Sequence, residues 1–272
     1  MATVNPYIYQ LPDTPVFYPD SDGEPMAESD FQLHPLIYAI NALRAFFADR
    51  PDVYVAGNMF VYYEEDNPKA VVAPDVFVVF GVPNHDRSSY KVWEDGKAPD
   101  FVLEITSLAT RTQDQGPKRG IYAYMGVREY FQADPTGDYL KPPLQGQQLA
   151  GDHYAPLPSA ASFGGEWRAY SAVLQLELRL NPTTGELRFY DPAARRILPS
   201  YQEQQIELAR KGAELEKTEA ELEKTEAELE RTEAILKTEA EARQAAEQRA
   251  QTAELELERL KAELARLNAG RE

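Results

Sequence analysis

Glu216-Lys217-Thr218-Glu219-Ala220-Glu221-Leu222 recurs identically at 223–229 and nearly so at 230–236. A strand alternates every two residues, so an apolar period of seven excludes a sheet here and commits this stretch to a long helix with a coiled-coil seam. With Leu208 as the first a position, the register runs unbroken to a = Leu264 and d = Leu267. Its first half alternates leucine at a with threonine at d (Thr218, Thr225, Thr232), its centre carries Glu239 and Arg243, and Leu257 and Leu260 restore an apolar seam. Positions e and g of the repeats are glutamates (Glu219, Glu221, Glu226, Glu228), which repel across a parallel homodimer, whereas Arg249 with Glu254 and Glu256 with Lys261 attract. The coil therefore points to a homo-oligomer or a partner protein held through 208–267. The competing reading is a solitary helix laced by pairs such as Glu214 with Lys217.

Composition changes sharply near residue 200. We expect an extended arm over 1–25, rich in proline and tyrosine, a globular domain over 26–198 and the coiled-coil helix over 202–269. The absence of cysteine excludes disulfides and thiolate metal sites. No run of 18 apolar residues exists, and the N-terminus lacks a basic region followed by an apolar one, so a cytoplasmic protein without a membrane span is expected. The net charge is −17, of which 201–272 carries −7 and the remainder −10. Phosphate contacts need lysine and arginine, so this balance argues against a nonspecific polyanion binder and requires any DNA site to be a local one.

The globular part is organised around 74–135. Val71 to Phe80 is rich in β-branched and aromatic residues and reads as a strand whose only charge is Asp75; Phe101 to Thr106 reads as a second, with only Glu104 charged. A lone carboxylate in a buried strand costs several kcal/mol unless it is paired, protonated or bound to a cation. Two such acids on neighbouring strands lessen that cost by sharing a hard cation, and oxygen ligands suit Mg²⁺. Gln115 to Tyr124 reads as a helix, with Asp114, Lys118 and Tyr122 spaced to share one face. Pro117 fits that helix only at its start, which would put Lys118 in the first turn and break the face shared with Asp114. Arg128 to Ala133 reads as a third strand.

Ala73-Pro74-Asp75-Val76, Pro99-Asp100 through Thr106-Ser107, Thr110-Arg111, Lys118-Arg119, Tyr122-Ala123, Gly126 to Phe131 and Asp134-Pro135, in that order, resemble the Uma-type putative restriction endonucleases of bacteria, a branch of the PD-(D/E)xK nucleases. The resemblance covers about 27–195. It implies a restriction-endonuclease-like α/β fold, a mixed sheet flanked by helices, and Mg²⁺ (or Mn²⁺) held by Asp75, Glu104 and the Ile105 carbonyl for hydrolysis of DNA. Thr106 stands where the lysine of the plain motif would be, so the resemblance implies a migrated catalytic lysine, Lys118. Tyr122 and Arg111 are candidates to steady the phosphate. The alternative function is an inactive nuclease fold that serves as a binding or assembly module through its coil.

Elsewhere, 28–49 is a helix by its stripe of Phe31, Leu36, Ile37, Ile40, Leu43 and Phe47. A turn at 64–68 leads toward Asp75, and the connection over 81–98 carries Lys91 and Lys97. Asp100 caps a turn. The strands after Pro135, among them Leu174 to Leu180 and its hairpin partner Leu187 to Tyr190, extend the sheet. His34, His85 and His153 have no ligand spacing.

Overall fold

Pro74 divides what the sequence presents as one strand. The computed structural model describes residues 16–20, 29–107, 112 and 116–269, with side chains to residue 263, and in it 71–80 forms two strands in two sheets. β3 (Val71–Val72) pairs with β2 (Val61–Tyr62), and β4 (Val76–Phe80) pairs with β1 (Val53–Ala56). Proline cannot donate to a ladder, so the chain leaves one sheet at Ala73-Pro74 and enters the other just after Asp75.

The remaining elements of the first half are α1 (Asp30–Phe46), β5 (Tyr90–Lys91), α2 (Val92–Asp95), β6 (Phe101–Ile105), α3 (Pro117–Met125) and β7 (Glu129–Ala133). β8 (Leu144–Ala150) and β9 (His153–Pro156) complete a six-stranded sheet of order β1-β4-β6-β7-β8-β9. β6 and β7 are parallel, joined through α3, and the other neighbours are antiparallel. The expected α/β class with a mixed sheet is therefore present. β6 and β7 are buried at every position, as strands covered on both faces must be.

α1 buries Leu36, Ala39, Ala42 and Leu43 on one face of this sheet, while Phe31 and Ile37 are exposed. The expected stripe was too wide: residues 36, 39, 43 and 47 keep the helical period, and Ile37 lies about 100° away from Leu36. Of the strands after Pro135, β8 and β9 extend the sheet as expected, whereas the five that follow do not. β10 (Ser159–Ala161), β11 (Trp167–Ser171), β12 (Leu176–Asn181), β13 (Glu186–Asp191) and β14 (Arg196–Ile197) form a separate five-stranded antiparallel sheet. Its inner leucines, Leu176, Leu178, Leu180 and Leu187, join α1 and the inner face of the first sheet in one core. Buried Glu129 of β7 ties the two sheets together by accepting from the Ser171 hydroxyl and the Ala172 and Val173 amides, at 3.0 and 3.3 Å for the amides. Burial pushes its carboxyl above the usual range.

Of the arm expected over 1–25, only 16–20 lies within the described residues. There Tyr18 packs edge-on against Tyr62 at 5.0 Å and accepts the Asp66 amide at 2.7 Å. In the connection after β4, Lys91 pairs with Glu94 at 2.9 Å, and Lys97 donates to Asp100 Oδ2 and to the Phe80 carbonyl at 2.8 Å each. Asp100, 2% exposed, also accepts the Phe80 amide at 2.8 Å, so it is a structural clamp at the start of β6.

The chain divides into two compact units, Met1–Gln204 and Gln205–Glu272. α4 (Tyr201–Ala269) is the long helix that the heptads predict. Ser200 and Glu203 start it as a capping box: the Glu203 amide donates to Ser200 Oγ at 3.2 Å, and the Ser200 amide to Glu203 Oε2 at 2.7 Å. The Arg188 guanidinium, 2.5 Å from Glu203, and the Ser200 amide lower the Glu203 carboxyl to about 2. A depressed acid stabilises above its unfolded value and loses that contribution as pH falls toward its folded one. The stability difference between wild type and Glu203→Gln, read by denaturant unfolding, should therefore be present at neutral pH and vanish as pH falls from the ordinary glutamate range to about 2. Because Glu203 is half exposed, the difference should stay below about 1 kcal/mol. None of the described helices is long and apolar enough to cross a membrane.

Candidate active site

The ladder between β4 and β6 pairs Val76 with Leu103, and its next step sets Asp75 opposite Glu104. The parallel ladder between β6 and β7 pairs Glu104 with Gln132. Register alone thus aligns Asp75, Glu104 and Gln132 across three adjacent strands.

Asp75 is half-buried, and its Oδ2 accepts the Ile105 amide at 2.6 Å, which ties the first acid to the strand of the second. Gly57 makes this approach possible. A Cβ there would lie 2.0 Å from the Asp75 carbonyl oxygen and 2.8 Å from Ile40 Cδ1, and the Asn58 amide beside it donates to the Pro74 carbonyl at 2.9 Å. Backbone cannot yield as a flexible side chain can. Gly57→Ala should therefore destabilise the fold by about 2 kcal/mol or more in urea unfolding and displace Asp75.

Glu104 is fully buried. Lys118 Nζ donates to its Oε2 at 2.9 Å, and the Tyr122 hydroxyl donates to its Oε1. Burial and the adjacent carboxylate hold the Tyr122 phenol well above its ordinary value, so Tyr122 keeps its proton and acts as a donor. Lys118 is 15% exposed, leaving its ammonium at the rim of the site.

α3 begins at Pro117, where a missing N–H is no loss, and not at Gln115 as the apolar pattern suggested. Lys118 consequently lies in the first turn and still reaches Glu104, with Tyr122 one turn later on the same face. Arg119 fastens that turn to the sheet, donating to Gln147 Oε1 at 2.6 Å and to the Tyr154 carbonyl at 3.1 Å. Asp114 and Arg111 lie outside the described residues. Thr106, at the position of the plain-motif lysine, is buried; its amide donates to Ala133 at 2.8 Å, and its hydroxyl has no hydrogen-bond partner among the described residues.

Gln132 was not singled out from the sequence. Its Nε2 is buried and has no hydrogen-bond partner among the described residues. The available signal was a second polar residue, beside Glu129, in a strand of otherwise apolar and aromatic side chains.

Among the described residues no group of three or more His, Cys, Asp or Glu side chains could hold a metal ion. The oxygen set that remains is Asp75, Glu104 and the Ile105 carbonyl. It suits Mg²⁺ in kind, because that ion is commonly held by one or two carboxylates, with waters and substrate phosphates filling its other positions. Each carboxylate oxygen has two lone-pair sites, so a hydrogen bond to Lys118 or Tyr122 leaves Glu104 able to accept a cation.

A family model described as Uma2, putative restriction endonuclease, matches residues 7–183. No match is found among curated proteins. Among solved structures, a putative nuclease belonging to DUF820 from Anabaena variabilis ATCC 29413 is similar over 61% of this chain and 70% of its own, with 12% identity and a TM-score of 0.33.

Proposed function

Because the chain belongs to the Uma2 family of putative restriction endonucleases, we propose that it hydrolyses phosphodiester bonds of DNA with Mg²⁺ at the site built from Asp75, Glu104 and Lys118. The observation that carries this reading is the arrangement around Glu104: a fully buried carboxylate bonded to Lys118 and Tyr122, one ladder step across from Asp75.

Asp75, Glu104 and the Ile105 carbonyl are the groups that would hold the cation. When bound, Mg²⁺ polarises a phosphate oxygen and lowers the pKa of a coordinated water. Asp75 stays aimed through its bond to the Ile105 amide. Tyr122 fixes the rotamer of Glu104 from below. Lys118 Nζ, at the rim, orients the attacking water and donates to the phosphate oxygen on which charge builds as water attacks phosphorus and a P–O ester bond breaks. Gln132 Nε2 supplies one further buried donor level with Glu104.

The test is cleavage of plasmid and single-stranded DNA by the purified protein with Mg²⁺ or Mn²⁺, beside Asp75→Ala. Metal-dependent cutting by the wild type that Asp75→Ala loses supports the assignment. Failure of the wild type to cut, or equal cutting by the variant, overturns it and leaves an inactive nuclease fold acting as a binding module.

A further inference from the structure

The leucines of α4 are exposed: Leu222, Leu229 and Leu236 are each 58–59% accessible and Leu260 is 60% accessible. We infer that this stripe is the interface of an antiparallel homodimer in a single register, centred on Glu241, in which Glu239 of each copy meets Arg243 of the other.

The argument starts from the seam. In a parallel, in-register pair every layer sets a residue against its own copy. That places Glu239 on Glu239, Arg243 on Arg243, and alanine on alanine at 246, 250 and 253. The result is two like-charge layers followed by three underfilled ones. Antiparallel coils instead pair a with d, and centring on 241 removes both like-charge core layers and leaves Thr232 with Ala250 as the small layer of each half. Leu222 meets Leu260, Leu229 meets Ala253, Leu236 meets Ala246, and Glu239 meets Arg243. Ala246 and Ala253 each face a leucine instead of a second alanine, which fills two of the layers that a parallel pair leaves small.

The threonine layers fit the same pairing. Thr225 and Thr232 face Leu257 and Ala250, and their hydroxyls donate to the Glu221 and Glu228 carbonyls of their own helix at 2.9 and 2.8 Å. A threonine bonded in this way turns only its methyl group to a partner and buries no unsatisfied hydroxyl. Each half of the seam thus complements the other half of the same sequence, and the occupant is a second copy of this chain. In this register the Tyr201 residues of the two copies lie about 120 Å apart, so the coil acts as a spacer between copies.

The inference is independent of the nuclease reading and is tested on the full chain. Sedimentation should show a dimer. Glu239→Arg, which sets arginine against Arg243, should weaken it by about 10-fold or more, and adding Arg243→Glu should restore it. The chain lacks cysteine, so a single introduced one takes a spin label cleanly. Labels on Ala220→Cys should be separated by about 63 Å, and labels on Glu241→Cys by roughly 20 Å, two helix diameters. A monomer at concentrations up to about 100 µM, a Glu239→Arg variant as tightly paired as wild type, or an Ala220→Cys separation of roughly 20 Å would each overturn the inference.

Discussion

Glu104→Gln is expected to reduce metal-supported DNA cleavage roughly 10³-fold while leaving the domain folded. The substitution removes the negative charge that a cation needs but keeps a side-chain oxygen to accept from Lys118 or Tyr122. Glu104→Ala should lose the same activity and, in addition, destabilise the domain by about 3 kcal/mol, because it removes the buried acceptor that Lys118 and Tyr122 share and leaves a void where Glu104 was fully buried. Lys118→Met tests the pair from the other side. The fully buried Glu104 would then keep only the Tyr122 hydroxyl among these two donors, so stability should fall and cleavage should drop about 10²-fold or more. Urea unfolding beside a cleavage assay separates the two contributions. If Glu104→Gln cuts DNA as well as wild type, Glu104 is only a packing residue.

The second large effect lies outside the site. Asp134 is fully buried, and its carboxylate organises the chain after β7. Oδ1 accepts from the Thr136 and Gly137 amides at 3.1 and 2.9 Å and from the Thr136 hydroxyl at 2.8 Å. Oδ2 accepts from the Tyr139 and Leu140 amides at 2.6 and 2.9 Å. Asp134→Ala takes the carboxylate from four amides, of which Gly137 keeps the Asp134 carbonyl at 3.1 Å, and should cost about 3 kcal/mol. Asp134→Asn retains one acceptor oxygen and should cost roughly half as much. Because Asp134 is bonded to backbone and not to Glu104 or Lys118, the Asn variant should keep its cleavage activity below its lowered melting temperature. A stability unchanged in Asp134→Ala would show that the turn holds itself without the carboxylate.

Asp134-Pro135 and Pro99-Asp100 were motifs of the family resemblance, and both acids turn out to be clamps on backbone. Asp75 and Glu104 belong to the same motifs yet converge on one place. Sequence spacing does not distinguish the two cases. What separates them is the partner set: Asp134 bonds the amides of its own turn, Asp100 bonds the Phe80 amide of β4 and the side chains of Lys97 and Arg128, and Glu104 bonds Lys118 and Tyr122 on α3. Gln132 escaped notice for the related reason that its relation to Glu104 exists only through strand register.

By itself the sequence determined whatever depends on neighbours within a turn or two of chain. The seven-residue period made α4 a helix, β-branched and aromatic runs made β4, β6 and β7 strands, and Pro117 set where α3 starts. Only the tertiary structure decided that 71–80 crosses between two sheets, that the five strands after β9 form a sheet of their own, and that Lys118 and Tyr122 meet at Glu104, 14 and 18 residues away. Local patterns reflect backbone preference and the period of burial, which a few residues can encode. Pairing across strands depends on register and on how the faces of distant elements fill a common core, and those are set only when the whole domain packs.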